Sequence, residues 1–402
     1  MRYSTSNSPA SNGASLWFLA ITLLSFLAAS TAPTPLYHLY QEHLQFSAAT
    51  LTVIFGVYAI SLLVALLTVG SLSDYLGRKP VIFTAVLLNM LAMLLFINAD
   101  SVAWLIGARV LQGFATGMAT AVLSAALLDT DRQQGPLVNS VAPLLGMAVG
   151  AMGCGLLAEF APLPLQLTYW VLLALFVTQG VYVWRLPETV SPQAGAWGAL
   201  RPTLHVPIQA RSTLWRVLPL NIATWALGGF YASLAPSLVR TATGSDSNLI
   251  GGATVAALTL TGALMIFTLR NRSATKALLL GGTLLPAGVA MVLLGVHGAS
   301  LPLFFLGTLV AGCGFGAGFL GAVRSLVPLA RPHERAGLMS AFYVLSYLAF
   351  CLPSLLAGGL TRTFGLVATT DGYGAVLIVL SLAALLGLMR QRPASVCSLD
   401  VK

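Results

Sequence analysis

A short polar loop carries charged residues whose types and spacing could do chemistry. The loop reads Gly70-Ser71-Leu72-Ser73-Asp74-Tyr75-Leu76-Gly77-Arg78-Lys79-Pro80 and separates two apolar stretches. Gly77 permits a sharp turn that a side chain would hinder. Asp74 is placed to pair with Arg78 or to face the amino terminus of a helix. Asp129 ends another apolar stretch and is a candidate for the same charge cluster; the alternative is a solvated acid at a helix end.

Arg109 interrupts a stretch, residues 101–128, that is otherwise free of charge. An arginine at bilayer depth costs roughly 2.5–3.5 kcal/mol on insertion scales, so such a residue is functional by default. Polar residues follow it at helical spacing, namely Gln112, Thr116, Thr120 and Ser124. We expect this stripe to line a cavity. The alternative is that Arg109 snorkels to the membrane surface.

His38 lies in the first apolar stretch, close to Pro33 and Pro35. Histidine titrates near physiological pH, so His38 is a candidate proton carrier. The alternative is a wetted histidine at the cavity mouth, beside interfacial tyrosines. The two prolines are expected to break or kink the helix that contains them.

The second half of the chain offers hydroxyl and aromatic side chains at helical spacing. Such a mixture suits a neutral or weakly polar amphipathic molecule. The candidates for a substrate cavity are Asn221, Trp225, Tyr231, Tyr343 and Tyr347. Ordinary helix packing is the alternative explanation for the aromatic members.

These motifs resemble the signatures of the major facilitator superfamily. The loop fits the pattern G-x-L-x-D-x-x-G-R-[KR] at Gly70, Leu72, Asp74, Gly77, Arg78 and Lys79. Arg109, Gln112 and Gly113 fit R-x-x-Q-G, which is found particularly in proton-coupled antiporters. Gly146, Gly150 and Gly155 fit the antiporter pattern G-x-x-x-G-P-x-x-G-G, but Ala151 and Cys154 depart from it. Close helix packing would also explain these three glycines.

The resemblance implies an all-helical membrane fold of twelve spans, arranged as two pseudo-symmetric six-helix bundles that rock about a central cavity. It implies that the loop latches the cytoplasmic side in the outward-facing state and that Arg109 couples protonation to the cavity. Many proton-coupled drug exporters have an aspartate in the first helix. This chain has none there, so the identity of the proton carrier stays open.

Composition points to a membrane protein. The chain has 402 residues, of which 57% are hydrophobic and 8% charged, against about 25% charged in soluble domains. The net charge of +9 comes from basic residues grouped between apolar runs, which is typical of positive cytoplasmic loops and not of a nucleic-acid surface. The four cysteines are scattered without a C-x-x-C pair, so we expect neither a zinc site nor a disulfide framework.

Charged residues divide the chain into intervals long enough to cross a bilayer. Six intervals lie at 3–41, 43–73, 80–99, 101–128, 133–158 and 160–184, and six more at 217–239, 247–269, 277–323 (two spans), 336–361 and 372–389. Most lysines and arginines then fall on the side that holds both termini. This bias predicts a multi-pass protein of the cytoplasmic (inner) membrane with both termini in the cytoplasm.

The interval 186–213 contains four prolines and predicts a cytoplasmic linker between bundles at 1–185 and 214–402. The halves echo each other, since Gly113-Phe114-x-x-Gly117 recurs as Gly314-Phe315-x-x-Gly318. Such repeats are typical of transporters that bind substrate between the halves.

We expect no metal and no cofactor. The segment Gly316–Gly321 fits G-x-G-x-x-G but lies in an apolar stretch, and G-x-x-x-x-G-K-[ST] and H-E-x-x-H are missing from the sequence. The predicted function is not enzymatic: it is proton-coupled export of a small amphipathic compound by a protein that is monomeric by default. The alternatives are a proton symporter that imports a sugar or organic acid, with Arg109 holding an anionic group, and a transporter-shaped receptor or membrane-embedded enzyme.

Overall fold

The computed structural model describes residues 9–200, 204–245, 247–331 and 334–390. Within these ranges the secondary structure is helical, without strands. The helices are α1 (Pro9–Thr31), α2 (Pro33–Leu44), α3 (Ala48–Val69), α4 (Ser73–Leu76), α5 (Arg78–Ile97), α6 (Val102–Thr130), α7 (Gly135–Phe160), α8 (Leu167–Val183), α9 (Ala196–Ala199), α10 (Ile208–Ser233), α11 (Ala235–Thr243), α12 (Asn248–Thr268), α13 (Ala274–His297), α14 (Leu301–Leu326), α15 (Arg335–Phe364) and α16 (Leu366–Met389).

The twelve predicted spans correspond to these helices. Ten helices or joined helices are long and apolar enough to cross a membrane, with α1 and α2 forming the first. The bent pair α10 and α11 makes an eleventh, and the apolar α8 is the remaining one, at 17 residues. The structure therefore confirms the predicted fold class, an all-helical membrane protein with twelve spans.

The first span of each half is interrupted at a proline. α1 ends at Thr31 and α2 begins at Pro33, as the two prolines of this segment predict. In the second half, α10 turns by 63° into α11, which has Pro236 in its first turn. Proline lacks an N–H group, so the carbonyl four residues earlier loses its helical partner. The interruptions thus free the carbonyl oxygens of Ala29 and Ala232.

More of the predicted linker is helical than its prolines lead us to expect. α9 forms one helical turn within it, and α10 begins at Ile208, so that residues 208–213 at the end of the predicted linker are helical. Pro207 directly precedes α10. Proline is tolerated at a helix start because the first N–H groups have no helical partner, so here it permits the helix it was expected to exclude.

Buried apolar side chains form one large cluster within residues 16–183 and another within 210–384. Smaller clusters connect the two sets of helices. One contains Phe55 of α3 and Phe350 of α15, and another contains Leu144 of α7 and Ala263 of α12. The core therefore lies inside each half, and apolar contacts also join the halves.

Polar contacts tie the halves together at the end of the bundle opposite the 70–79 loop. The pairs are Thr34 with the Ala232 carbonyl at 3.0 Å, Glu42 with Arg240 at 2.9 Å, Ser47 with Arg362 at 2.7 Å, and Glu159 with the Asn248 amide at 2.8 Å. The first of these uses the carbonyl that Pro236 frees. We call this end the closed end, and the end that carries the 70–79 loop the loop end.

Candidate functional site

The interruption of the first span leaves carbonyl groups that bind two side chains of α6. Arg109 donates from Nη1 to the Ser30 carbonyl at 2.8 Å and to Gln112 Oε1 at 2.7 Å. Gln112 donates from Nε2 to the Ala29 carbonyl at 2.8 Å. These carbonyls are free because α1 ends before Pro33, and the carboxyl end of a helix carries partial negative charge. The broken helix therefore binds the guanidinium without an acid.

Tyrosines complete the surroundings of Arg109. Its Nε lies 3.1 Å from the Tyr37 hydroxyl, which Nη2 also contacts, and the guanidinium carbon lies 5.0 Å from the Tyr58 ring centre. The residue is 1% exposed, so it points into the protein and does not snorkel to the membrane surface. None of the described Asp and Glu residues forms an ion pair with it.

A central cavity lies between the halves, and its empty space, including space open to solvent, is about 1150 Å³. It is lined by Leu27, Ser30, Thr31, Thr34, Phe55, Tyr58, Leu62, Arg109, Thr120, Ser124, Asn139, Ser140, Pro143, Leu144 and Met147 from the first half, and by Trp225, Gly228, Ala232, Thr259, Phe315, Phe319, Tyr343, Tyr347 and Phe350 from the second. Both halves therefore contribute side chains to one concave site, the kind of position that small-molecule sites occupy.

The predicted polar stripe on α6 lines the cavity only in part. Arg109, Thr120 and Ser124 reach it, whereas Gln112 and Thr116 are fully buried behind it. Gly113 faces α3, where an added Cβ would overlap the Tyr58 carbonyl. Gly113 thus lets two helices approach closely and is not part of the cavity lining.

Aromatic rings form the wall contributed by the second half. Trp225 of α10 lies 4.9 Å from Tyr347, 6.4 Å from Tyr343 and 6.1 Å from Phe350, centre to centre. Phe55 of α3 continues the wall, with its ring centre 5.0 Å from that of Phe350. We call these rings the aromatic wall.

Three predicted cavity residues lie elsewhere. Tyr231 is six positions after Trp225, a spacing that places the two side chains on different faces of α10. The Tyr231 hydroxyl forms a 2.8 Å hydrogen bond with the Thr308 hydroxyl of α14. Asn221 is fully buried and donates to Ser346 of α15 at 2.8 Å. His38 is half-buried in α2 and is not part of the cavity lining.

The residues of the 70–79 loop form the charge cluster that the sequence predicts. Arg78 contacts Asp74 at 2.6 Å, Asp129 at 3.0 Å and the Ser73 hydroxyl at 2.6 Å. Lys79 donates from Nζ to the Trp184 carbonyl at 2.9 Å. Asp74 therefore pairs with Arg78, and Asp129 belongs to the cluster. Gly70 follows α3 directly, and Leu72 packs against the core of the first half.

Glu188 of the linker completes this cluster and was not singled out from the sequence. Its two carboxylate oxygens accept the backbone N–H groups of Arg78 at 2.7 Å and Lys79 at 3.0 Å, which begin α5. Gly77 has a φ of +93°, and a Cβ there would lie 2.8 Å from Glu188. One signal could have found Glu188: it is the only acid in the interval 186–213.

The three glycines of α7 face two different helices. A Cβ on Gly146 or Gly150 would overlap the carbonyl of Leu24 or Ala28 in α1. A Cβ on Gly155 would lie 2.9 Å from the Asn248 carbonyl of α12. Two glycines therefore allow packing within the first half, and the third allows contact between the halves.

No group of three or more His, Cys, Asp or Glu side chains among the described residues is placed to hold a metal. Cys154, Cys313 and Cys351 are free thiols, and Cys397 lies outside the described residues. The site therefore consists of a cavity with a buried guanidinium and an aromatic wall, together with the charge cluster at the loop end.

A sequence model of the Major Facilitator Superfamily matches residues 18–270 of the chain. The protein therefore belongs to the major facilitator superfamily and is a multi-pass membrane transporter of that family. The resemblance seen in the loop and in α6 is confirmed at the level of the family.

Curated relatives and solved structures agree with this assignment. The chain is 27% identical over 376 residues to multidrug resistance protein MdtL of Klebsiella pneumoniae (strain 342), covering 88% of this chain and 89% of that protein. It is 29% identical to MdtL of Salmonella typhi over 183 residues, which cover 42% of this chain and 46% of the relative.

Two solved structures share the fold at low sequence identity. The human organic anion transporter MFSD10 (TETRAN) has a TM-score of 0.68 at 20% identity, over 94% of this chain and 100% of that one. A bacterial homologue of the human lysosomal transporter Spinster, in an inward-facing and unoccupied conformation, has a TM-score of 0.69 at 14% identity, over 96% of each chain.

Proposed function

We propose that the protein exports a small amphipathic compound from the cell in exchange for protons, by alternating access of the central cavity to the two sides of the membrane. The cavity carries this proposal, because both halves line it and it combines a buried guanidinium with an aromatic wall. The interruption of the first span in each half supports it, since broken helices mark the binding region of many transporters. The MdtL relatives are named multidrug resistance proteins, which supports export.

The moving units are proposed to be residues 1–185 and 214–402. Arg109 acts in the coupling of protonation to the cavity as a fixed charge, because a guanidinium does not release its proton. The charge cluster of Asp74, Arg78 and Asp129 gates the loop end, and Glu188 fastens the linker to that gate.

The protein is proposed to act as a monomer in the cytoplasmic membrane, with both termini and the loop end in the cytoplasm. No enzymatic activity is proposed for it. The closed end then faces away from the cytoplasm, and cargo enters the cavity from the loop end.

Transport in liposomes tests the proposal. Compounds that raise the melting temperature of the purified protein are labelled and offered to proteoliposomes with and without an imposed pH gradient. We expect the pH gradient to drive accumulation of the compound against its own concentration gradient. We expect Arg109→Ala to remove this pH dependence. Equal flux with and without the gradient would contradict proton coupling, and an absence of flux for every stabilising compound would contradict export.

A further inference from the structure

The central cavity has an unusual charge balance. Arg109 is the only Asp, Glu, Lys, Arg or His side chain among the described residues that line it. The described Asp and Glu residues lie in the first or last two turns of the helices or in the segments between them. Helix-end carbonyls and ring faces offset part of the guanidinium charge, but they supply no full negative charge. Among the described residues that line it, the cavity therefore presents a positive charge without an acidic partner.

Hydrogen-bond donors without partners add to this excess of positive charge in the cavity. Four of the five N–H groups of Arg109 have partners, which leaves one N–H of Nη2 without a partner among the described residues. Trp225 Nε1, from the other half, is buried and has no partner either. The serine and threonine hydroxyls that line the cavity already donate, for example Thr120 to Thr116 and Ser124 to Asn139.

We propose, resting on the function proposed above, that the cargo is an amphipathic organic anion. Its acidic group would pair with Arg109, and its apolar body would lie against the aromatic wall. A cation would meet an unpaired guanidinium in a low-dielectric cavity, and a neutral compound would leave that charge unpaired. Attraction of a cation to the aromatic rings is the competing effect. The cavity would prefer a cation only if this attraction exceeded the repulsion between the cation and Arg109.

Equilibrium binding to the purified protein tests this proposal with three probes that share one ring system. They are naphthalene-2-sulfonate, naphthalene-2-sulfonamide and 2-naphthyltrimethylammonium, and inorganic phosphate tests attraction by charge alone. We expect the sulfonate to bind about tenfold or more tightly than each of the others, because a hydrogen bond to a charged group is stronger than one to a neutral group. We expect Arg109→Gln to remove this preference.

A second pair of variants tests the proposal if the Arg109→Gln protein does not fold. Thr120→Asp places a carboxylate on the same cavity wall, and Thr120→Asn has the same size without the charge. The aspartate is expected to weaken binding of the sulfonate and to strengthen binding of the trimethylammonium probe relative to the asparagine. Three results with the wild-type protein overturn the proposal. The first is binding of the cation or the neutral probe as tightly as the sulfonate. The others are equally tight binding of phosphate and binding of none of the four probes.

The same probes separate this inference from the proposed function. Sulfonate that binds as expected but does not cross the membrane in proteoliposomes supports the cargo class and contradicts export. Gradient-driven transport confined to the cationic or neutral probe supports export and overturns the anionic cargo.

Discussion

At the scale of single residues, Arg109 shows how a membrane-spanning bundle holds a charge without an acidic partner. Pro33 ends α1 and frees carbonyl groups, and Arg109 and Gln112 bind them. The backbone break and the buried charge thus stabilise each other. Replacing either one leaves the other with unpaired polar groups, which cost about 1–3 kcal/mol each when buried.

Gly77 supports the charge cluster at the loop end through its backbone. We expect Gly77→Ala to lower the free energy of unfolding by about 1–3 kcal/mol, because a positive φ strains a residue with a side chain and its Cβ would press on Glu188. The loss is measured as a drop in melting temperature of the purified protein.

Gly195→Ala is the matched control for that variant. Gly195 has a φ of +109°, but its nearest neighbour, the Tyr75 ring, lies 3.5 Å from an added Cβ. It therefore reports the effect of a positive φ without a steric contact, at a ψ of 10° where Gly77 has 159°. A loss at Gly77 no larger than that at Gly195 would contradict the expectation, because Gly77 has both the less favourable backbone region and the contact with Glu188.

At the scale of elements, the linker is attached to the first turn of α5. Substituting Glu188→Gln removes a charge that accepts two backbone amides, those of Arg78 and Lys79. We expect faster hydrogen exchange in a peptide that covers residues 75–85, because helix caps of this kind are worth about 0.5–2 kcal/mol. Mass spectrometry of the detergent-solubilised protein measures this rate.

Asp131→Asn is the control for the linker variant. Asp131 accepts the amides of Gln133 and Gln134 before α7, remote in sequence from α5. Its substitution is expected to change exchange near residue 133 and not near residue 78. Unchanged exchange at residues 75–85 in Glu188→Gln would show that the carboxylate does not fasten the linker.

α7 offers two glycines with opposite expected responses. Gly150→Ala is expected to destabilise the protein by about 2 kcal/mol or more, because its Cβ would overlap the Ala28 carbonyl of α1. Gly153 has open space at the same distance, so Gly153→Ala is expected to be neutral or to stabilise by up to about 1 kcal/mol through helix propensity. Thermal unfolding of both variants checks this, and equal melting temperatures would contradict it.

The sequence reveals these elements better than it reveals their partners. Runs free of charge predict the spans, because the bilayer imposes a single length and composition on them. The same runs do not show that Gly146 faces α1 while Gly155 faces α12, since both positions look alike in a glycine-rich helix. Tyr231 was expected in the cavity because its chemistry suits one, but the rotation of α10 places it against Thr308. Glu188 is brought to Arg78 by tertiary structure across more than one hundred positions.

At the scale of the whole molecule, the polar contacts that join the halves at the closed end are individually weak. The ion pair of Glu42 with Arg240 is partly exposed, and surface pairs are worth about 0–1 kcal/mol. Glycine contacts such as Gly155 with α12 bring backbones together without large interlocking side chains. Contacts of this kind separate at modest cost, as alternating access requires.

The unpaired charge of Arg109 has a consequence for how membrane voltage acts on the cycle. An anion bound to Arg109 leaves the loaded cavity neutral, whereas the unloaded cavity is positive. Voltage, worth about 2.3 kcal/mol per elementary charge per 100 mV, therefore acts on the return step, in which the cavity holds no anion. One-for-one exchange of labelled naphthalene-2-sulfonate is expected to be insensitive to an imposed potential, and net flux to respond to it. A cytoplasm-negative potential then resets the unloaded protein toward the side where the next anion binds.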